Sequence, residues 1–495
     1  MNYKLRITLF DFSRVLFFAL VAALAACAAP ESSALDAPLA TIARENSATP
    51  TRAPATPIPL PQTLIERYDV RAGDTLGNIA ARYNIALEEL MELNGIVDAN
   101  TLKIGQQLKV PIQVTRAAPS EAFIPDSEIV YGPAYENFDI AAFANSFNGY
   151  LAAYRQNVEG ETMSGAQILQ LVAERYSVGP RVLLALVEMQ SGWVTNSIVT
   201  NIQYPLGLAD STRQGLFFQA SWAANHLNEG YYGKLAGRLS NLRLKDRTRV
   251  FIPTSLNAGT VAVMNVLAQI NAFDQWQNQI GADGFRATYR KLFGELNPAA
   301  LETIPARDLK QPALRLPWSD GEMWYFSGGP HTAWGDNGAW AAIDISPNDI
   351  AGSGSCAISR RYALAAASGK IARSERGRVV IALNGNNFQG KGWALLYLHI
   401  ARDGRIGEGV QVQVGEKIGH PSCEGGSADA SHLHFARLYN GQWIEPTSAP
   451  FILSGWSVQL GDQEYAGTIA RGAETREACN CRDDFKNGIV ADAGK

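Results

Sequence analysis

Between residues 427 and 438 the chain reads SADASHLHFARL, which sets two histidines, His432 and His434, one residue apart. Side chains alternate faces along an extended strand, so this spacing predicts that both imidazoles leave the same side of a sheet. Imidazole is the commonest metal ligand and a common proton carrier near neutral pH. A sheet that carries two of them side by side is therefore expected to serve a site as well as a core. Of the six histidines in 495 residues, His331, His399, His432 and His434 all fall in one β-patterned region, with His420 nearby.

That region runs from Pro317 to about Leu460. Segments such as WAAIDIS, GRVVIALN, WALLYLHI and HLHFARLYNGQWI are separated by glycine-rich turns, which predicts a mainly antiparallel β-domain. Asp344 lies inside the apolar segment AAIDIS, on one face with Ala342 and Ser346. A buried aspartate is costly unless it is paired or binds a metal. A catalytic zinc takes three nitrogen or oxygen ligands and keeps one position open for water. His331, Asp344 and one histidine of the 432/434 pair supply such a set, leaving His399 and the other to move protons. Asp336 is a rival carboxylate, but glycines and polar residues surround it. His226 and His420 match no ligand position and are expected to be structural.

The remaining sequence divides by composition. Lys4, Arg6 and Arg14 precede an apolar run from Val15 to Ala26 that is too short for a permanent span, the layout of an export signal. Residues 28–64, rich in Ala, Pro, Thr and Ser, are expected to form an extended tether. Residues 67–111 predict a short strand at Tyr68–Val70, two helices and a closing strand at Gln107–Pro111. Asp74 or Thr75 is placed to cap the first helix. From about 130 to 300, apolar residues recur at helical spacing in GAQILQLVAERYSV, PRVLLALVEMQSGW and AGTVAVMNVLAQI. A net charge of −4 gives no basic footprint for nucleic acid.

Several stretches resemble known families. LAAC at 24–27 resembles the lipobox of bacterial lipoproteins, which implies acylation of Cys27, a membrane anchor and a place in the cell envelope. GDTL, LNG and IGQQLKVP resemble, in order, the blocks of the LysM module, which implies binding to glycans such as peptidoglycan over 65–113. LLALVEMQSGW, YPLGLAD and SLNAGT resemble the lysozyme-like fold of lytic transglycosylases over 130–300. Gln190 stands before Ser191 where that family has its catalytic glutamate, and an amide cannot act as the general acid. Glu188 faces about 200° away on a helix. An all-α domain without glycosidase chemistry is therefore expected.

The β-region, 310–460, resembles the M23 zinc metallopeptidases of the lysostaphin and staphylolysin group. The motifs are the His331-to-Asp344 pair, the YLH at His399 and the HLHF strand, and the GDNGAW loop resembles the β-lytic branch. The resemblance implies Zn2+ held by His331, Asp344 and His434, with His399 and His432 as catalytic groups. It implies an endopeptidase acting on peptide cross-links of peptidoglycan. A peptidase domain that only binds, as a scaffold or activator, is the rival reading. If Cys27 is acylated, four cysteines remain, and Cys356 with Cys423 is the first pairing to test. A ring between Cys479 and Cys481 would be tight. Residues 461–495 are expected to be a C-terminal extension.

Overall fold

A computed structural model describes residues 60, 62–296, 308–350 and 354–492. The signal-like segment, Cys27 and nearly all of the tether lie outside the described residues.

The first folded part is a two-stranded sheet with two helices. Strand β1 (Gln62–Asp69) pairs antiparallel along its whole length with β2 (Gln107–Val114), so it begins earlier than its apolar pattern predicts. Helix α1 (Leu76–Tyr83) starts at Thr75, whose side chain accepts from Asn78 N, and buries Leu76, Ile79 and Ala80. Asp74 is used differently: it accepts from the Tyr68 hydroxyl (2.6 Å) and Arg71 N (2.8 Å). Helix α2 (Leu87–Asn94) ends on Gly95 in the left-handed conformation and packs Leu90 into the small core.

The middle part is helical but not all-α. Helix α3 (Gly165–Tyr176) opens with a full capping box between Ser164 and Gln167. Helix α4 (Pro180–Ser191) carries Pro in its first turn and stops on left-handed Gly192. Helices α5 (Leu216–Leu235) and α6 (Ala258–Ile270) form the centre, and α7 (Phe285–Phe293) packs on α4. The helix-only expectation missed a hairpin, Arg155–Val158 with Glu161–Ser164, turned by Glu159 and Gly160, both at positive φ. It also missed a small sheet joining Arg116–Ala117, Asn241–Arg243 and Arg249–Phe251. These strands are two to four residues long, too short for periodicity to register.

The C-terminal part is built on one large antiparallel sheet. Its strands are β3 (Met323–Thr332), β4 (Trp340–Pro347), β5 (Gly369–Glu375), β6 (Arg378–Ala382), β7 (Trp393–Leu398), β8 (Gln411–Val412) and β9 (Leu433–Tyr439). A second sheet runs through β10 (Phe451–Leu453), β11 (Trp456–Leu460), β12 (Gly467–Arg471) and β13 (Glu474–Glu477). Strand β14 (Gly488–Val490) completes the large sheet, in the order β8-β5-β6-β7-β9-β4-β3-β14. Residues 461–492 are thus no separate extension. Two of their strands pair in the second sheet, and a third pairs with β3 through Gly488–Tyr325 and Ile489–Trp324. These strands are three to five residues long, too short for periodicity to register, and β14 finds its partner in β3, far away in sequence.

Alternation divides the large sheet into two buried faces. Ile343, Ile345, Val379, Ile381, Leu395, Tyr397 and Phe435 face the second sheet and the Trp318–Trp324 stack. On the opposite face, Ala342, Val380, Ala394, Leu396, Ala436 and Leu438 join the same core as helices α3 to α6. Apolar residues at successive strand positions fit a sheet covered on both sides. The helical part is one of the two covers. Glu174 on α3 seals that junction: fully buried, it receives Arg373 (2.5 and 2.7 Å) and Arg378 (3.3 Å) from the sheet. Cys356 is bonded to Cys423, and Cys479 to Cys481.

Candidate metal centre

The helical cover leaves one end of its sheet face free, and the polar residues gather there. Register puts them in a row: Asp344 on β4 pairs with Gly328 on one side and His434 on the other, and His434 pairs onward with Leu398. His331 reaches the same point through irregular pairing at the end of β3, where the register shifts on both sides of Gly328. The glycines there have steric reasons. A β-carbon on Gly328 would sit 2.9 Å from Asp344 Oδ2, and one on Gly329 would sit 2.3 Å from the Ala466 carbonyl.

The resulting cluster is tight. His331 Nε2, Asp344 Oδ1 and His434 Nδ1 are separated by 3.0 to 3.4 Å. All three residues are buried. Hydrogen bonds fix which ring nitrogen faces inward. His331 Nδ1 donates to the Gly329 carbonyl (2.8 Å), and His434 Nε2 donates to the Ala333 carbonyl (3.0 Å). The two nitrogens left over are acceptors pointing at each other across 3.0 Å. Asp344 Oδ1 joins them with no hydrogen-bond donor of its own, although it is buried. Two lone pairs and a carboxylate oxygen at this spacing call for a cation between them. Carbonyl-anchored imidazoles and a carboxylate form the donor set that suits zinc.

His432 and His399 stand beside the cluster. His432 Nε2 lies 3.4 Å from Asp344 Oδ1, while its Nδ1 donates to the Ala430 carbonyl (2.7 Å). His399 follows β7, donates from Nδ1 to the Glu424 carbonyl (2.9 Å), and has its ring centroid 4.5 Å from that of His432. The electrostatics separate the rings. Burial drives the His399 imidazole down to about 3, helped by neighbouring His432 and His434. It also lowers His434, whereas Asp344 outweighs burial at His331 and His432 and raises both. Burial alone would raise the Asp344 carboxyl; His331 and His432 pull it well below the usual carboxylate range.

The structure brings the five residues singled out in the sequence to one place and leaves the others elsewhere. Asp336 is exposed, and its N–H is bound to Asn225 Oδ1 on α5 (2.7 Å). His226 pairs with Glu229 (2.6 Å), and His420 Nδ1 donates to the Arg361 carbonyl (3.1 Å). Gln190 Nε2 donates to Gln279 (3.1 Å), while Glu188 is buried and accepts from Val194 N, Thr195 N and Lys291.

Sequence reasoning missed Tyr465. It sits in the β11–β12 turn at φ +66°, with its ring stacked 4.1 Å over His331. Its hydroxyl is pushed up to about 12, first by partial desolvation and then by Asp344 and Glu464, while 55% of the residue stays exposed. Backbone bonds to Gly329 and Pro330 fasten this turn to β3, and Glu464 accepts from Thr332 (2.6 Å). A lone tyrosine in GDQEYAG carries no signal of this, because the contact spans more than one hundred residues of chain.

Residues 68–111 match the LysM domain model, and residues 122–305, the stretch likened above to a lysozyme, match the model described as LasA, N-terminal domain. Protease LasA of Pseudomonas aeruginosa is 29% identical over 376 residues, covering 71% of this chain and 82% of that protein. N-acetylmuramoyl-L-alanine amidase XlyB of Bacillus subtilis is 44% identical over 55 residues, 11% of this chain and 17% of that protein. Among solved structures, the M23 metalloprotease pseudoalterin aligns at 26% identity and TM-score 0.28, over 34% of this chain and 95% of that one. The catalytic domain of lysostaphin from Staphylococcus simulans aligns at 21% identity and TM-score 0.18, over 25% and 88%. The chain carries a LysM domain and is similar to protease LasA over 71% of its length.

Proposed function

We propose that this protein is a zinc endopeptidase of the cell envelope that hydrolyses peptide cross-links in peptidoglycan. The observation that carries the reading is the buried trio of His331 Nε2, Asp344 Oδ1 and His434 Nδ1, with two further imidazoles beside it. The same reading takes the LysM domain as the part that holds glycan strands, Cys27 as an acylated anchor and the helical domain as free of glycosidase chemistry.

His331, Asp344 and His434 would hold the zinc, which when bound supplies a Lewis acid and lowers the pKa of a coordinated water toward 7. The protein's own residues do the rest. Carbonyl bonds from Gly329 and Ala333 keep both ligand rings in one tautomer, so neither turns away. His399 and His432 each spend their Nδ1 proton on a carbonyl, which leaves Nε2 unprotonated, and that of His432 lies 3.4 Å from Asp344 Oδ1. Each therefore presents an acceptor for a proton from the attacking water and can return it to the leaving amine. Once protonated, either becomes a donor to the developing oxyanion. Tyr465 walls the site over His331.

The deciding experiment digests purified peptidoglycan with the full chain and identifies the products by mass spectrometry. Cleaved cross-bridge or stem peptides with intact glycan strands are expected. Glycan fragments with uncut peptides would reject the reading.

A further inference from the structure

His399 has an unusual attachment. It lies just beyond β7 with φ +64°, a left-handed conformation that residues with a β-carbon adopt only when their surroundings impose it. What imposes it is one triplet, Ser422-Cys423-Glu424. Ser422 donates twice to the His399 carbonyl, from its N–H (2.6 Å) and its hydroxyl (3.0 Å). Glu424 offers its carbonyl to His399 Nδ1 (2.9 Å). The Glu424 carboxylate is itself fixed, since both its oxygens accept from Arg402 N at 2.9 Å. The central residue of the triplet, Cys423, is bonded to Cys356, 67 residues earlier in the chain. Beside that bond, Ser431 donates to the carbonyls of Ser355 (2.8 Å) and Ala357 (2.6 Å), so the residue before His432 is sewn to the same segment.

We propose that the Ser422–Glu424 triplet, fastened by the Cys356–Cys423 bond, is a positioning element that sets the tautomer and aim of His399 for turnover. It rests on the peptidase reading given above. The chemistry is direct. Only a histidine whose Nδ1 proton is committed to the Glu424 carbonyl presents an unprotonated Nε2 to its neighbours. A triplet that drifts releases that proton and lets the ring turn. The bond then does more than stabilise the domain: it selects the state of a side chain some residues away.

The test uses the full chain with zinc and three variants: Cys356→Ser with Cys423→Ser, Ser422→Ala, and Ser422→Thr. Histidine 15N resonances read the His399 tautomer without reference to activity. A single Nδ1–H form is expected in the unmodified protein and a mixture in the double-serine and Ser422→Ala variants. With a soluble peptide, those two variants should lose about tenfold to 100-fold in kcat with KM nearly unchanged and one zinc retained. Ser422→Thr, which keeps the hydroxyl, should recover most of the loss. An unchanged tautomer in both variants, or losses confined to KM, would overturn the proposal. Should the double-serine chain fail to fold, Ser422→Ala decides, because its bond is intact. Should the unmodified protein cut no peptide, the peptidase reading falls, and the tautomer comparison alone judges the positioning.

Discussion

Asp344 and His434 are direct partners across the β4–β9 pair, with Oδ1 3.2 Å from Nδ1. Their alignment depends on register, and a slip of one residue would send either side chain to the opposite face. The neighbours Ile343 and Phe435 show the alternative: they point into the second core. The site is therefore a property of strand pairing, with the helical domain covering the rest of the same sheet face.

Metal binding should follow the trio. His434→Ala, His331→Ala and Asp344→Asn are each expected to abolish stoichiometric zinc, measured by elemental analysis after dialysis. Chelation should lower the melting temperature of the unmodified protein because the cation stabilises only the folded state. Zinc kept at one per chain in all three variants would refute the ligand set.

His399→Ala and His432→Ala should separate binding from chemistry. Both are expected to keep zinc and to lose about 100-fold to 10,000-fold in kcat on a soluble peptide. Loss of metal in His432→Ala would mean that the two histidines of the pair exchange roles.

The interface between helical domain and sheet should be acid-labile through Glu174. Burial raises its carboxyl, but the bonds and charges of Arg373 and Arg378 outweigh that and leave it below its ordinary value of 4.5. A carboxyl depressed in the fold stabilises it above about pH 4.5 and loses that contribution as pH falls through the lower folded value. Glu174→Gln should cost about 3 kcal/mol at neutral pH, because buried Arg378 is left with Glu375 alone and half-buried Arg373 with Glu408 alone. The acid-dependent part of unfolding, followed by denaturant titration at several pH values, should shrink in this variant.

Removing residues 60–114 should weaken sedimentation with insoluble peptidoglycan and spare hydrolysis of a small soluble peptide. The module meets the helical domain through Arg249 and Glu66 (2.6 Å) and through Phe251, so a modest fall in melting temperature is also expected. Equal loss of both activities would place the module inside the catalytic unit.

The helical domain should release neither anhydro-muropeptides nor new reducing ends from peptidoglycan. Gln190 has no titratable proton, and Glu188 is committed to the Val194–Thr195 backbone. Glu188→Gln should act on stability alone, by about 1–3 kcal/mol, since one oxygen that accepted these bonds becomes a donor. Sugar-end release that disappears in Glu188→Gln would reverse this assignment.

Much of the site was legible because its signals are local. The one-residue spacing of His432 and His434 dictates a common face, an aspartate inside AAIDIS has few reasons to be buried, and a capping residue marks a helix start at Thr75. Runs such as WALLYL, bounded by glycine-rich turns, marked the strands of an antiparallel domain. What covers each face was not legible, since Leu395 and Leu396 read alike although one packs on strands and the other on helices. Tyr465 over His331, strand β14 beside β3 and the hold of Ser422 and Glu424 on His399 were decided only by tertiary structure. Periodicity and spacing act between neighbours a few residues apart. A stacked ring, an edge pairing or a carbonyl contact is made between segments tens of residues apart or more, and only the folded chain brings those together.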